Sequence, residues 1–405
     1  MFVKKIVCAA SILMLASASA HAACSYENKV PLKSLTAGFE AWKAVTSTMA
    51  ECGNFKAELD QEFAQKQVAA FSAQPSLYQI GGVANETLVP VLQEGLIRPL
   101  DDLVAKYGQN LNTNQLIKVD GKIVAIAMMV NAQHLMYRED IFKNLDIALP
   151  KTYDEVLSAA KKIKEAGVVP YPLGGTYKTG WNLGEEFVNM YLGFGGKFFN
   201  ADNTPSINND SGVKALEMMK ALTEYMDPEY LVSDSTTVQQ QFQQEKIAMA
   251  NLWASRAAAM DDPKESKVVG KIAMAAAPAA TPGGKPATTI WWDGVTIASH
   301  ITDDEADAAF RLAMEGLKAE MVKANNDAAV WLVKGYEPGR LSRGAFASAE
   351  TGAPSYPAST ALGIMHTALG NHIADFLTGK DTVEETLKDI EGEYLTAAKE
   401  KGLVN

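Results

Sequence analysis

The chain has 405 residues and a formal net charge of −11, with 47% hydrophobic and 21% charged residues. That length is long for a single core and suits two lobes. The acidic balance argues against nucleic acid or an anionic membrane as partner, because both demand a basic face.

At the start of the chain, Lys4 and Lys5 precede an apolar run from Ile6 to Ala16, and Ala20-His21-Ala22 supplies the small-x-small pattern that a signal peptidase cuts behind. Residues 1–22 therefore read as a signal peptide, with Ala23 as the new N-terminus and the periplasm as the destination. The apolar run is shorter than the ~20 residues needed to cross a bilayer. Cys24 is not expected to carry a lipid, because His21-Ala22-Ala23 lacks the large aliphatic residue required three places earlier. Cys8 leaves with the signal, so Cys24 and Cys52 remain as an even pair in an oxidising compartment, and a disulfide between them is expected.

Helix-like and strand-like patterns then alternate, which points to α/β architecture. Leu77–Ile80, Ile123–Val130, Ile247–Ala250, Ile272–Ala276 and Val295–Ala298 read as buried strands. Capping boxes at Thr152/Glu155, Thr302/Glu305 and Thr382/Glu385 each open an apolar stripe at helical spacing, and Gly167 stands where the first of these helices should stop. The loops hold aromatic and Gly-rich material, from Gly174 to Trp181 and from Thr281 to Trp292. Ligands collect at loops of this kind in open α/β sheets.

Catalytic motifs fail on inspection. Ser158-Ala159-Ala160-Lys161 and Lys178-Thr179-Gly180 imitate two β-lactamase elements, but the nearest third element, Ser233-Asp234-Ser235, comes in the wrong order and lacks the Asn. There is no G-x-S-x-G, H-E-x-x-H, C-x-x-C or Walker A sequence. His134, His300, His366 and His372 lack metal-ligand spacing, so neither metal nor cofactor is expected. The aromatic loops suit a sugar better, since flat apolar faces stack on the C–H side of a ring while a few polar groups take its hydroxyls. Tyr177, Trp181, Trp253 and the run Trp291-Trp292-Asp293 offer both.

The order of several segments resembles the extracellular solute-binding proteins, family 1, of ABC importers, the family that includes maltose-binding protein. Tyr78–Leu100 is similar to its strand, ligand loop and G-L-I-x-P-L turn; Asp120–Ile126 to D-G-K-x-Y-A; Tyr137–Phe142 to Y-N-K-D-x-F; and Pro150–Glu155 to P-x-T-W-D-E. Phe242–Met249 followed by Trp253 resembles F-x-x-G-K-x-A-M…W, with Glu245 standing in place of the family's glycine, and Ala127 replaces a usual proline.

The resemblance implies two α/β lobes joined by hinge strands, with the ligand held between them. It implies an N-terminal lobe of residues 23–130 plus 295–345 and a C-terminal lobe of residues 131–294 plus 346–405. It assigns hydroxyl-binding groups to Asn85, Glu86 and Thr87, a polar contact to Asn131 near the first crossover, and stacking to Tyr177, Trp181 and Trp253. Trp292 and Asp293 would enter from a later crossing segment, Glu40 and Trp42 from the first loop, and Tyr356 from a C-terminal loop. A monomeric periplasmic receptor that hands a sugar, oligosaccharide or polyol to an ABC permease follows from it. Two alternatives stay open: an exported glycosidase or lyase using Glu40, Glu86 or Asp293, and a receptor for an anionic solute met by Lys178 or Arg256.

Overall fold

Residues 24–357 and 359–404 are described by a computed structural model; the expected signal peptide and its cleavage site lie outside them. Among the described residues eleven strands form two sheets. In chain order they are β1 (Asn28–Thr36), β2 (Gly53–Leu59), β3 (Ile80–Ala84), β4 (Leu116–Val119), β5 (Lys122–Asn131), β6 (Gln133–Arg138), β7 (Tyr171–Gly174), β8 (Ile247–Trp253), β9 (Ile272–Ala275), β10 (Trp291–Ile297) and β11 (Val330–Trp331).

The larger sheet runs β11-β5-β10-β3-β1-β2, with β4 added along β5. Its β1, β2 and β3 are parallel, whereas β10 lies antiparallel to both β3 and β5. Both faces are covered, so strands such as β3 are buried at every position. One face packs against the helices Glu40–Ala50 and Asp303–Gly316 through Trp42, Val45, Ile80, Val295 and Phe310; the other packs against Phe63–Ser72 and Leu88–Gln93 through Phe71, Val83, Leu88 and Val91.

The smaller sheet runs β7-β8-β6-β9. A large apolar cluster on one of its faces joins the helices Tyr153–Ala166, Trp181–Gly193, Asp210–Thr223, Thr360–Leu377 and Val383–Glu400. The helix Ser235–Gln243 and residues Met136, Ile247 and Leu252 close the opposite face. β5 hands directly to β6 through Ala132, so a single residue separates the two sheets at that crossing.

Sheet membership departs from the expected partition in three places, the first being Asn131, which was expected in the second lobe but ends β5 of the larger sheet. Residues 291–294, expected in the second lobe, lie in β10 and pair with β3 and β5 of the first. The helix Arg343–Glu350 spans the expected cut after residue 345 and lies against β6 and β9 of the second.

The three expected capping boxes are formed, with the Thr152, Thr302 and Thr382 side chains each accepting from the backbone N–H three residues on. Gly167 ends the first of these helices at φ 62°. Cys24 and Cys52 are joined, with their Cα atoms 5.1 Å apart, and tie the approach to β1 to the start of β2. Glu245, where the family carries glycine, takes the left-handed φ of 59° and is held by Lys271 at 2.9 Å and Arg138 at 3.5 Å. Among the described residues no helix is long and apolar enough to cross a membrane.

Candidate functional site

Aromatic side chains from four separate segments meet where the two sheets face one another. Trp181 is the first residue of its helix, preceded by Gly180 at φ 94° and ψ −139°, a conformation available to glycine and costly for other residues. Its ring lies 6.3 Å from Trp253, 5.6 Å from Trp291 and 5.2 Å from His366, centroid to centroid. Trp253 meets Trp291 edge to face at 5.9 Å, and Trp291 lies 4.1 Å from Tyr356. Trp181 remains 40% exposed whereas Trp253, Trp291 and Tyr356 are buried, so the group presents one accessible face backed by three supporting rings.

Hydrogen bonds fix this group from behind. The Trp181 carbonyl can only accept, so the His366 Nε2–H, 2.8 Å away, donates to it. Burial holds the imidazole below its ordinary pKa, against the opposing pull of Glu86, and leaves the ring neutral. His366 Nδ1 therefore accepts from the Tyr356 hydroxyl at 2.8 Å. Trp291 Nε1 donates to Thr289 Oγ1 at 2.9 Å and to Glu185 Oε1 at 3.1 Å. Burial pushes the Glu185 carboxyl well above its usual range, and its Oε2 has no partner among the described residues. Glu186 beside it is pushed up to about 7 by burial, while its bonds from Thr176 and Gln133 act in the opposite direction.

The first lobe contributes polar groups. Trp181 Nε1 donates to Glu86 Oε2 at 2.6 Å, a bond that joins the second lobe to the loop after β3. Asn85 accepts from the Trp292 backbone N–H at 2.9 Å, and Thr87 Oγ1 accepts from the Ala84 N–H at 2.8 Å, so both shape that loop. Asp293 pairs with Ala84 and Met129 in the sheet, is 8% exposed, and has no hydrogen-bond partner among the described residues. Burial alone pushes its carboxyl up to about 7.

The structure thus brings together Trp181, Trp253, Tyr356 and Glu86, and places Asp293 two residues along β10 from Trp291. It does not add Tyr177, which is 2% exposed and meets Tyr230 edge to face at 6.2 Å inside the second lobe. Tyr177 instead lines a cavity of about 20 Å³ with Tyr153, Glu186 and Asn251. Trp42 is 1% exposed in the first lobe's core, its Nε1 buried without a partner among the described residues. Trp292 packs on the first lobe's other core face, and its neighbour Trp291 takes the stacking position that was expected of it. Glu40 is exposed and paired with Lys43 at 2.6 Å. Asn131 is engaged with Ser255, donating to its Oγ at 3.3 Å and accepting from its N–H at 3.2 Å.

Sequence reasoning singled out the Trp291-Trp292 run but gave the site position to Trp292, and it missed His366 and Glu185 as partners of the aromatic group. His366 sits in a largely apolar helix, and Glu185 is one of two adjacent acids on another, so only the fold reveals their contact with the aromatic group. The two cations proposed for an anionic ligand are both engaged. Lys178 lies 3.6 Å from Asp234, and Arg256 donates to Gln239 at 3.4 Å with Asp234 and Glu40 as its charged neighbours.

The site is thus an accessible indole, backed by buried rings of the second lobe and bonded by Glu86 of the first. A family model described as bacterial extracellular solute-binding protein matches residues 35–313, and the chain belongs to that family. A probable ABC transporter-binding protein of Deinococcus radiodurans is 26% identical over 67% of this chain, and the match spans 66% of that relative, just under two thirds of its length. An sn-glycerol-3-phosphate-binding periplasmic protein of Rhizobium meliloti is 29% identical over 30% of each chain. Among solved structures, a solute-binding protein of Agrobacterium radiobacter in complex with ribitol superposes with a TM-score of 0.79 at 21% identity, covering 91% of this chain and 99% of that one. One from Agrobacterium vitis with bound D-mannitol gives 0.77 at 21% identity, covering 92% and 99%. These structures share the two-lobed fold of this chain.

Proposed function

We propose that this protein is the periplasmic substrate-binding component of an ABC importer, capturing a sugar, oligosaccharide or polyol between its lobes and delivering it to a membrane permease. The observation that carries this reading is the Trp181 face, backed by Trp253, Trp291 and His366 and bonded to Glu86 of the opposite lobe. A ring or polyol chain would lie on the indole, with its hydroxyls turned to Glu86 and Asp293. No covalent step is part of the proposal: closure of the lobes buries the ligand, and the closed form is what the permease reads. The family membership and the ribitol and mannitol complexes of proteins with the same fold support the ligand class. A thermal-shift screen of sugars and polyols tests it, because a cleft ligand raises the melting temperature by mass action. The expected hit also reduces the radius of gyration in small-angle scattering and is recovered unchanged. Turnover of the hit, or an unchanged radius at saturation, overturns the proposal.

A further inference from the structure

We propose that a second copy of this chain docks on the outer edge of β2, the two strands running antiparallel about a twofold axis at Ala57 and joining the larger sheets of both copies. The proposal goes beyond the receptor reading and does not depend on it; it departs from the monomer that the family resemblance implies.

The first observation is an edge left open. Edge strands present rows of unpaired N–H and C=O groups, and proteins blunt them with short strands, proline, bulges or cover. Among the described residues the other sheet ends are blunted: β11 has two residues, and β7 and β9 have four each, with Pro172 inside β7. β2 has seven residues without proline and borders β1 alone. Six of the seven are exposed, on both faces of the sheet, so room remains beside the strand for a second backbone.

The second observation is that this edge is complementary to itself. At one end of β2 the Cys52 C=O accepts from the Asn28 N–H at 2.6 Å, and at the other the Asp60 N–H donates to the Thr36 C=O at 2.9 Å. Alternation between these two fixed points turns the backbone groups of Asn54, Lys56 and Glu58 toward β1 and those of Phe55, Ala57 and Leu59 outward. An antiparallel strand centred on Ala57 meets the outward groups pair for pair, Ala57 against Ala57 and Phe55 against Leu59 of the second copy. Leu59 is 38% exposed, so the second pair covers apolar surface. On the other face the same centre sets Lys56 opposite Glu58 of the second copy, and opposite charges in facing positions stabilise a strand pair. Glu58 Oε2 accepts from the Tyr78 hydroxyl at 2.5 Å, while Lys56 has no acid paired with it among the described residues. Centring on Lys56 or Glu58 would instead oppose two lysines or two glutamates. The clefts stay clear of the junction: Glu86, in the loop after β3, meets Trp181, so the second lobe lies off the C-terminal ends of the parallel strands β1, β2 and β3. An antiparallel partner carries its own second lobe at the opposite end of the joined sheet.

Sedimentation velocity of the purified protein from about 1 µM to about 500 µM tests the docking, with a rise from one-chain to two-chain mass expected. Ala57→Pro removes an N–H that faces outward, so the β1–β2 ladder keeps its bonds while the edge is blocked. It should weaken association at least about 10-fold with an unchanged melting temperature. Lys56→Glu should weaken association as well, and adding Glu58→Lys should restore it, because the facing charges are again opposite. Ala57→Cys should link two chains on mild oxidation, since Cα atoms in a hydrogen-bonded antiparallel pair lie about 5.5 Å apart, within disulfide reach. Lys56→Cys, displaced along the strand from its own copy, should not link. A one-chain mass across the whole range overturns the proposal, as does a folded Ala57→Pro variant that associates as well as the wild type. Should Ala57→Pro melt early, the cross-links decide: no linking by Ala57→Cys, or equal linking by Lys56→Cys, overturns the docking.

Discussion

Trp181 and Trp253 are neighbours in space but should respond differently to truncation. Trp181 is 40% exposed and Trp253 8%, so the first offers a face to solvent and the second supports it. Trp181→Ala is expected to weaken ligand binding by about 1–3 kcal/mol, the range for burying a large apolar side chain, while the ligand-free melting temperature changes little. Trp253→Ala should cost ligand-free stability as well, toward the ~3–5 kcal/mol of a buried Trp, because its removal leaves a hole beside Trp291. Urea titrations alongside ligand binding separate the two, and equal stability losses would contradict the assignment. Asp293 makes a prediction about pH. Its carboxyl rises from 3.8 to about 7 on burial, so the folded protein holds a proton that the unfolded chain has already released. Stability from this group is present at acid pH and is lost as pH rises through the window between those values. Asp293→Asn removes the loss while Glu185 and Glu186 remain in both proteins, so the variant's melting temperature should gain on the wild type's between about pH 4 and about pH 7. A difference that stays constant with pH would refute this.

At the scale of elements, the Cys24–Cys52 link ties the chain ahead of β1 to the start of β2, across a sequence separation of 28. The double Cys→Ser variant should lose ~3 kcal/mol on the loop-entropy model, seen as a lower urea midpoint at an unchanged ligand affinity. Loss of affinity without loss of stability would place the link in the site instead. What the sequence disclosed about elements depended on how local the signal was. The capping boxes at Thr152, Thr302 and Thr382 are formed within four residues and could be read directly. β3 was placed too early, at Leu77–Ile80, because its real course through Gly81 and Gly82 carries no side chains to signal a strand. A Cβ there would come within 2.5 Å of Phe71 and 2.8 Å of Trp42, so the strand is glycine because helices press on both its faces. β2 escaped notice for the opposite reason, being an exposed edge strand with almost no buried face. In Trp291-Trp292, alternation dictates that only one indole can face the second lobe, but which one depends on register with β3 and β5. The family was legible from segment order, while the partners of Trp181 were contributed by helices and loops remote in sequence.

For the whole molecule, the decisive feature is the place of β10 between β3 and β5 in the larger sheet. Every strand of the smaller sheet lies earlier in the chain than β10. A fragment of residues 24–290 would therefore leave β3 and β5 with unpaired edges facing an empty lane. Such a fragment is expected to melt without a cooperative transition, and a sharp two-state transition like that of the full chain would refute this. During synthesis the same geometry imposes an order of events. The first lobe cannot be completed when its own early strands emerge; it waits for Trp291–Ile297, and the second lobe in turn waits for its last two helices, Thr360–Leu377 and Val383–Glu400. Neither lobe can be finished on an early stretch of the chain, so both cores are completed late in synthesis.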